Sequence, residues 1–194
     1  MDIEKIRKEL KKMLSSKRYV HSLATEEMAA FLAKQHNYES HKVRIASLLH
    51  DCAKDLPLDT QKDYIMRYEI VLDEIELKEP KLWHAAISQE LAKRKFNIYD
   101  SEILQSIRIH PTGDKDMTSV DKIVVLSDYL EPNRNFRDNE KIKVIAMKDL
   151  NQATILVLTS KLLHVIKKGS LIHPRTIEAR NDLLSIRDFA NNSA

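Results

Sequence analysis

The apolar positions of this chain recur at helical rather than strand spacing. Ile3, Ile6, Leu10 and Met13/Leu14 fall on one stripe, which predicts an amphipathic first helix. A second is expected from about Arg18 to His36, with Val20, Leu23, Glu27 and Phe31 tracking its faces and Asn37 ending it. Ser40 is placed to cap a third, which carries Val43, Ile45, Ala46, Leu48 and Leu49. Past Pro57 the pattern predicts a helix from Asp59 through Arg67 and a less regular stretch to Pro80. Helices follow from Leu82 to Phe96 and from Ser101 to about Ile109, the latter capped by Asp100 or Ser101. Pro111-Thr112-Gly113-Asp114 reads as a loop, and Thr118 or Ser119 opens a helix through Leu130 that Pro132 stops. Asn151 to Lys168 is long and helical, with Gly169 where a left-handed cap belongs. Pro174 suits the first turn of a last helix reaching about Phe189. No segment of real length alternates with period two. The expected fold is all-α, a single domain over 1–194, with core motifs at about 18–134 and C-terminal helices at about 139–189.

Composition narrows the chemistry. The 194 residues include two glycines, where average usage of about 7% would give roughly fourteen. A glycine-rich phosphate loop cannot be built from Gly113 and Gly169, so P-loop and dinucleotide-fold readings are excluded. Any phosphate chemistry must run through side chains, helix ends or metals. Charged residues at 31% beside 43% hydrophobic residues describe a globular chain, and the net charge of +3 is mild. Lys5, Arg7, Lys8, Lys11, Lys12, Lys17 and Arg18, answered in part by Asp2, Glu4 and Glu9, read as a solvated helix face rather than an RNA-binding patch, so a nucleic-acid partner is not expected. The charged start lacks the apolar stretch of a signal peptide, and Lys161 and His164 break the longest apolar run. A cytoplasmic protein without a membrane span is expected, and the single Cys52 excludes an intrachain disulfide.

The informative anomaly is where histidine and aspartate fall. Ile45-Ala46-Ser47-Leu48-Leu49 leads straight into His50-Asp51, and Ile123-Val124-Val125-Leu126-Ser127 leads into Asp128. Leu82-Trp83 precedes His84, while Ile107 and Ile109 surround His110. An ionised carboxylate on a buried helix face costs several kcal/mol unless it is paired or metal-bound. Imidazoles and carboxylates intruding together ask for one explanation, and a metal centre supplies it. Neighbours on a helix point about 100° apart. His50 and Asp51 can therefore share a site only where a helix end turns toward it, or where the carboxylate bridges two ions. The mixed set without thiolates suits catalytic Fe, Mn, Co or Zn.

His21, His50-Asp51 and Asp128 follow the H…HD…D order of the HD-domain metal-dependent phosphohydrolases. The surrounding strings are tighter: Arg18-Tyr19-Val20-His21-Ser22, Leu49-His50-Asp51-Cys52-Ala53-Lys54, Leu82-Trp83-His84-Ala85 and Ile107-Arg108-Ile109-His110-Pro111-Thr112-Gly113. They continue in Ser127-Asp128-Tyr129-Leu130-Glu131-Pro132-Asn133-Arg134 and His173-Pro174-Arg175-Thr176. Together they resemble the YqeK-type HD proteins, bacterial symmetrical diadenosine tetraphosphate hydrolases, over roughly residues 15 to 185. The chain departs from that family at Ala24, Ser88, Asp116 and Asp138, where glycine is usual, and at Pro111, where threonine is usual.

The resemblance implies an HD-domain helical bundle that cuts diadenosine tetraphosphate at the centre of its bridge, giving two ADP. It implies two divalent metals, iron foremost with Mn or Co fitting the same ligands. One metal would take His21, His50, Asp51 and Asp128, and the other His84 and His110 with Asp51 bridging. A hydroxide held between them is the implied nucleophile. Asp51 and Lys54 are the expected catalytic residues, Lys54 as a phosphate clamp, and Arg18, Lys54, Thr112 and Arg134 are the expected substrate contacts. A homodimer is the implied assembly. Rival readings are an HD phosphohydrolase for another nucleotide, a di-iron HD oxygenase, and a helical RNA-associated protein. Cys52 and Trp83 are expected to be core, and His173-Pro174-Arg175 to pack the last helix.

Overall fold

The computed structural model describes residues 2–134 and 138–192, with side chains through residue 187. Among the described residues there is no strand. Eleven α-helices follow in order: α1 Ile3–Met13, α2 Ser16–Gln35, α3 Ser40–Leu49, α4 Leu58–Arg67, α5 Glu74–Lys78, α6 Trp83–Phe96, α7 Ser101–Ile109, α8 Ser119–Leu130, α9 Asn139–Ala146, α10 Leu150–Lys167 and α11 Pro174–Asn192. A turn of 3-10 helix, Pro80–Leu82, leads into α6.

Side-chain caps set the helix starts. Asp2, Ser15, Asp73, Asp100, Thr118 and Asp149 each accept a bond from a first-turn N–H, satisfying a donor the helix itself leaves open. The third helix is capped by Glu39 rather than Ser40, because the Glu39 carboxylate accepts from His41 N. Left-handed residues end or turn several elements, and non-glycine residues do most of that work: Asn37, Glu69, Asn97 and Asp116 lie at φ 52°, 49°, 53° and 56°. Asp116 thus adopts the backbone that explains the glycine usual there. Gly113, at φ 69°, could not be replaced easily, since a Cβ would lie 3.1 Å from Ala179 Cβ and 3.2 Å from a Leu158 methyl.

Helix α8 is the centre of the bundle. It packs against α2, α3, α7, α9 and α10, and Ile123, Val124, Val125 and Leu126 are fully buried. A helix apolar on all sides belongs inside, and burying each such side chain contributes about 1.5–3 kcal/mol. Its start is fixed by a reciprocal Thr118–Asp121 capping box, and Asp121 also accepts from Ser106 Oγ and Gln105 Nε2 on α7. The first three helices are tied by buried Glu26, which accepts from Arg7 on α1 and Arg44 on α3. None of the helices among the described residues is long and apolar enough to cross a membrane. Trp83 and Cys52 are core, as expected; burial pushes the Cys52 thiol up to about 12, which leaves it unreactive.

Candidate metal centre

The packing of α2, α3, α6, α7 and α8 brings six polar side chains into one buried knot. His21 lies early in α2, His50 caps the C-terminus of α3 and is followed by Asp51, His84 opens α6, His110 caps α7, and Asp128 sits in the last turn of α8. All six are buried. The knot has two halves. His21 Nε2 is 3.2 Å from both His50 Nε2 and Asp128 Oδ1, while Asp51 Oδ2 lies 3.6 and 3.5 Å from the two imidazoles. On the other side, His84 Nε2 is 3.3 Å from His110 Nε2, and Asp51 Oδ1 is 3.1 and 3.4 Å from them. The Asp51 carboxylate therefore faces one set with each oxygen. Both local devices needed by an adjacent His-Asp pair are present: a helix end turned to the site and a carboxylate shared between two sets.

The ring tautomers follow from the outer partners. The Nδ1 atoms of His50, His84 and His110 donate to the carbonyls of Ser47, Lys81 and Ile107 at 2.6, 2.7 and 2.8 Å. His21 Nδ1 donates instead to the Glu131 carboxylate at 3.1 Å. Each ring, when neutral, thus aims its Nε2 lone pair inward. Lone pairs set against each other across 3.2 and 3.3 Å repel, and a cation between them makes the arrangement favourable. Asp51 Oδ1 and Asp128 Oδ1 are buried and accept no well-directed hydrogen bond, although Arg134 stands 2.9 Å from the latter, and such atoms suit a ligand role. These side chains could hold divalent metal in two groups: His21, His50, Asp51 and Asp128, and Asp51, His84 and His110.

The charge states agree. Burial opposes ionisation of Asp51 and Asp128, yet His50, His84 and His110 around Asp51, and Arg134 with His21 and His50 around Asp128, hold both well below the usual carboxylate range. Burial pushes His110 down to about 3 and lowers His84, where the Lys54 ammonium adds to the effect. His50 is raised, because Asp51 and Asp128 outweigh its burial. Two carboxylates and mostly neutral imidazoles are the deprotonated set a metal needs.

Cations surround the knot. Arg18 Nη1 lies 2.5 Å from Asp51 Oδ2, Arg134 Nη2 lies 2.9 Å from Asp128 Oδ1, and Lys54 Nζ lies 2.9 Å from His84 Nε2. Lys54 belongs to a run of turns after α3 rather than to a helix, and Ser88 Oγ holds that run by accepting from Ala53 N. Asp55, next in that run, accepts from Ser15 N and Oγ at the start of α2. Thr112 is buried and donates its hydroxyl to Gly113 O, shaping the turn after His110. Two residues that motif reading passes over prove central. Glu131 orients His21, and Lys161 on α10 donates to the carbonyls of His110 and Pro111 at 2.9 and 3.2 Å. The signal for Lys161 was its intrusion into the apolar run of α10; Glu131 carried none beyond its place in the 127–134 string.

A third group, Asp73, Glu76 and His173, has ligand-like spacing but other work. Asp73 caps α5 and takes Arg175 at 2.7 Å and His173 Nε2 at 2.9 Å, while Glu76 pairs with Arg108. This set latches the segment before α11 onto α5, in line with the packing role expected of His173-Pro174-Arg175.

Besides a cleft among Lys54, Leu58, Gln61, Pro80 and Lys81 that touches the knot at His84 alone, two clefts open on it. One, of about 270 Å³, has Asp51, Lys54, His84, His110 and Asp128 on one side and an apolar wall of Leu82, Leu162, Val165, Leu171 and Ile172 on the other. The second, of about 650 Å³, runs along the start of α2 past Lys17, Arg18, Val20 and His21 to Glu131 and Asn133. Arg134 lines both.

This arrangement has relatives. The HD domain family matches residues 18–133. The chain is 33% identical to the symmetrical bis(5'-nucleosyl)-tetraphosphatase of Bacillus subtilis, over 91% of this chain and 94% of that protein. It is 34% identical to the protein of the same name from Halalkalibacterium halodurans, over 90% and 93%. A crystal structure from Clostridium acetobutylicum, described as a predicted HD superfamily hydrolase involved in NAD metabolism, superposes with a TM-score of 0.89 at 36% identity, covering 95% of this chain and 98% of that one. The motif match, the near full-length relatives and the shared architecture together place the chain in the HD domain family, among the symmetrical bis(5'-nucleosyl)-tetraphosphatases.

Proposed function

We propose that this protein is a metal-dependent hydrolase that cuts diadenosine tetraphosphate at the centre of its bridge and releases two ADP. The observation that carries the reading is the Asp51 carboxylate, buried between two sets of inward-facing imidazoles and ringed by Arg18, Lys54 and Arg134. His21, His50, Asp51 and Asp128 would hold one divalent cation, and His84 and His110 with Asp51 a second. Such a pair, when bound, supplies a nucleophile at neutral pH and offsets charge on phosphate oxygens. Iron is the metal proposed, following the family resemblance; the imidazole and carboxylate donors without thiolate suit Mn or Co as well. A homodimer working in the cytoplasm belongs to the same proposal and follows the family resemblance.

The chain's own groups do the rest. Lys54 and Arg134 face the smaller cleft and are placed to bind the oxygens of an anionic bridge, and Arg134's planar fork suits a phosphate. The wall of Leu82, Leu162, Val165, Leu171 and Ile172 gives a nucleoside an apolar surface and keeps water from the phosphates. Lys161 fixes the His110–Pro111 turn and so the direction of the His110 ring.

The test is metal analysis of purified protein combined with product identification on diadenosine tetraphosphate. ADP as the only nucleotide product is expected; AMP with ATP would contradict symmetrical cleavage. Asp51→Ala should abolish turnover and lower metal content, whereas Lys54→Ala should weaken turnover and keep the metal. An Asp51→Ala protein with full activity and full metal would overturn the site assignment.

A further inference from the structure

We infer that the larger cleft, along the start of α2, receives the second nucleoside diphosphate half of the substrate, so that the two halves lie in two unlike clefts meeting at Arg134. This rests on the proposed central cleavage. A bridge cut at its midpoint over the metal centre must leave that centre in two directions. The smaller cleft, at about 270 Å³, offers one direction and an apolar wall for one nucleoside. The cleft of about 650 Å³ offers the other, and it starts from the same place, since His21 and Arg134 line it.

The lining suits a nucleotide. Lys17, Arg18 and Arg134 line it; Arg18 and Arg134 reach the knot, where they pair with Asp51 and Asp128, and Lys17 is exposed. Its carboxylate, Glu131, is 2% exposed, and its oxygens are engaged by His21 and by Asn133 N and Nδ2 rather than left open to the cleft. Farther out stands Val20, a valine 51% exposed, with Ala24 one turn on along its face buried. Within a cationic cleft it gives a nucleoside an apolar contact. The two clefts differ in character: one is walled by aliphatic side chains from α10 and the 171–176 segment, the other borders the start of α2 and the 131–134 turn. The enzyme would therefore bind a symmetric molecule asymmetrically, and its preference for a dinucleotide over a mononucleotide of equal phosphate number would come from the α2 cleft.

The experiment compares wild type with Val20→Glu, and with Lys17→Glu as a second exposed substitution. Two readouts are taken: calorimetric titration of the metal-loaded protein with ADP, and the ratio of kcat/KM for diadenosine tetraphosphate to that for adenosine 5'-tetraphosphate, which lacks the second nucleoside. Two ADP per chain are expected for wild type and one for Val20→Glu. The substrate ratio should fall roughly tenfold in both variants, because a truncated substrate gains nothing from the α2 cleft. One ADP per wild-type chain, or two in Val20→Glu with an unchanged ratio, would overturn the inference. If wild type does not convert diadenosine tetraphosphate to ADP alone, the proposed function fails instead, and the ADP count still decides whether the cleft takes a nucleotide.

Discussion

Replacing Glu131 by glutamine tests whether the carboxylate behind His21 tunes one metal group separately from the other. Glu131 is 2% exposed, with one oxygen 3.1 Å from His21 Nδ1 and the other receiving Asn133 N and Nδ2 at 2.7 and 2.9 Å. The amide keeps the size and can still accept from His21, so the ring direction survives while the negative charge behind it is lost. Removing an outer partner of this kind typically lowers metal affinity about 10–100-fold. That is about 1.4–2.7 kcal/mol, and it should fall on the group containing His21, His50 and Asp128. His84 and His110 lean on main-chain carbonyls and should be insulated. The assay is titration of metal-loaded protein with a competing chelator, followed by elemental analysis. Wild type should lose its metals over a narrow chelator range, and the variant should lose one much earlier than the other. Asn133→Ala, which loosens Glu131 without discharging it, should sit between them. Equal weakening of both metals, or none, would refute the division of roles.

Other expectations follow from the fold and the charges. Leu126→Ala, at a fully buried position in the central helix, should cost about 2–5 kcal/mol in urea unfolding. Asn97→Ala should destabilise by about 1 kcal/mol in the same assay while Asn97→Gly does not, because the residue sits at φ 53°. Metal-stripped protein should lose stability as pH falls. His110 titrates near 3 in the folded chain against an ordinary 6.5, so between those values the unfolded chain binds the extra proton and gains. The slope from this group is at most about 1.4 kcal/mol per pH unit, and His84 adds in the same sense while raised His50 works against it. Asp51 and Asp128, held low, add their loss below the usual carboxylate range. Unfolding midpoints between pH 7 and pH 4 that stay level would contradict these charge states.

Most helices were legible because caps and apolar spacing agree: Asp100 and Thr118 stand just before apolar stripes. The five residues of α5 were not, since so short a helix has no periodicity; its mark was the Asp73…Glu76 capping box. Helix α9 fell within the C-terminal region without being separated from it, because its buried side chains are few, Ile142 and Ala146. The ligand set could be read from polar residues in apolar settings and from the motif strings around them. The outer shell could not. His21 and Glu131 are 110 residues apart, and Lys161 reaches a turn 50 residues earlier, so only the packed bundle shows what each one holds. The clefts were equally hidden, because their walls come from segments distant in the chain. Val20, expected on a helix face among others, gains meaning only from the cavity it lines.

The hydrogen bonds behind the four imidazoles also bear on how this site can change by mutation. Three rings take their orientation from the main chain three residues earlier, and a carbonyl is present whatever side chain stands at Ser47, Lys81 or Ile107. Single substitutions there cannot delete the acceptor, so those rings are robust to drift. His21 depends on a side chain, and one codon change at Glu131 alters its electronics. Natural variation in metal preference among related sequences should therefore concentrate at this one position, while the other three supports tolerate any residue their packing allows.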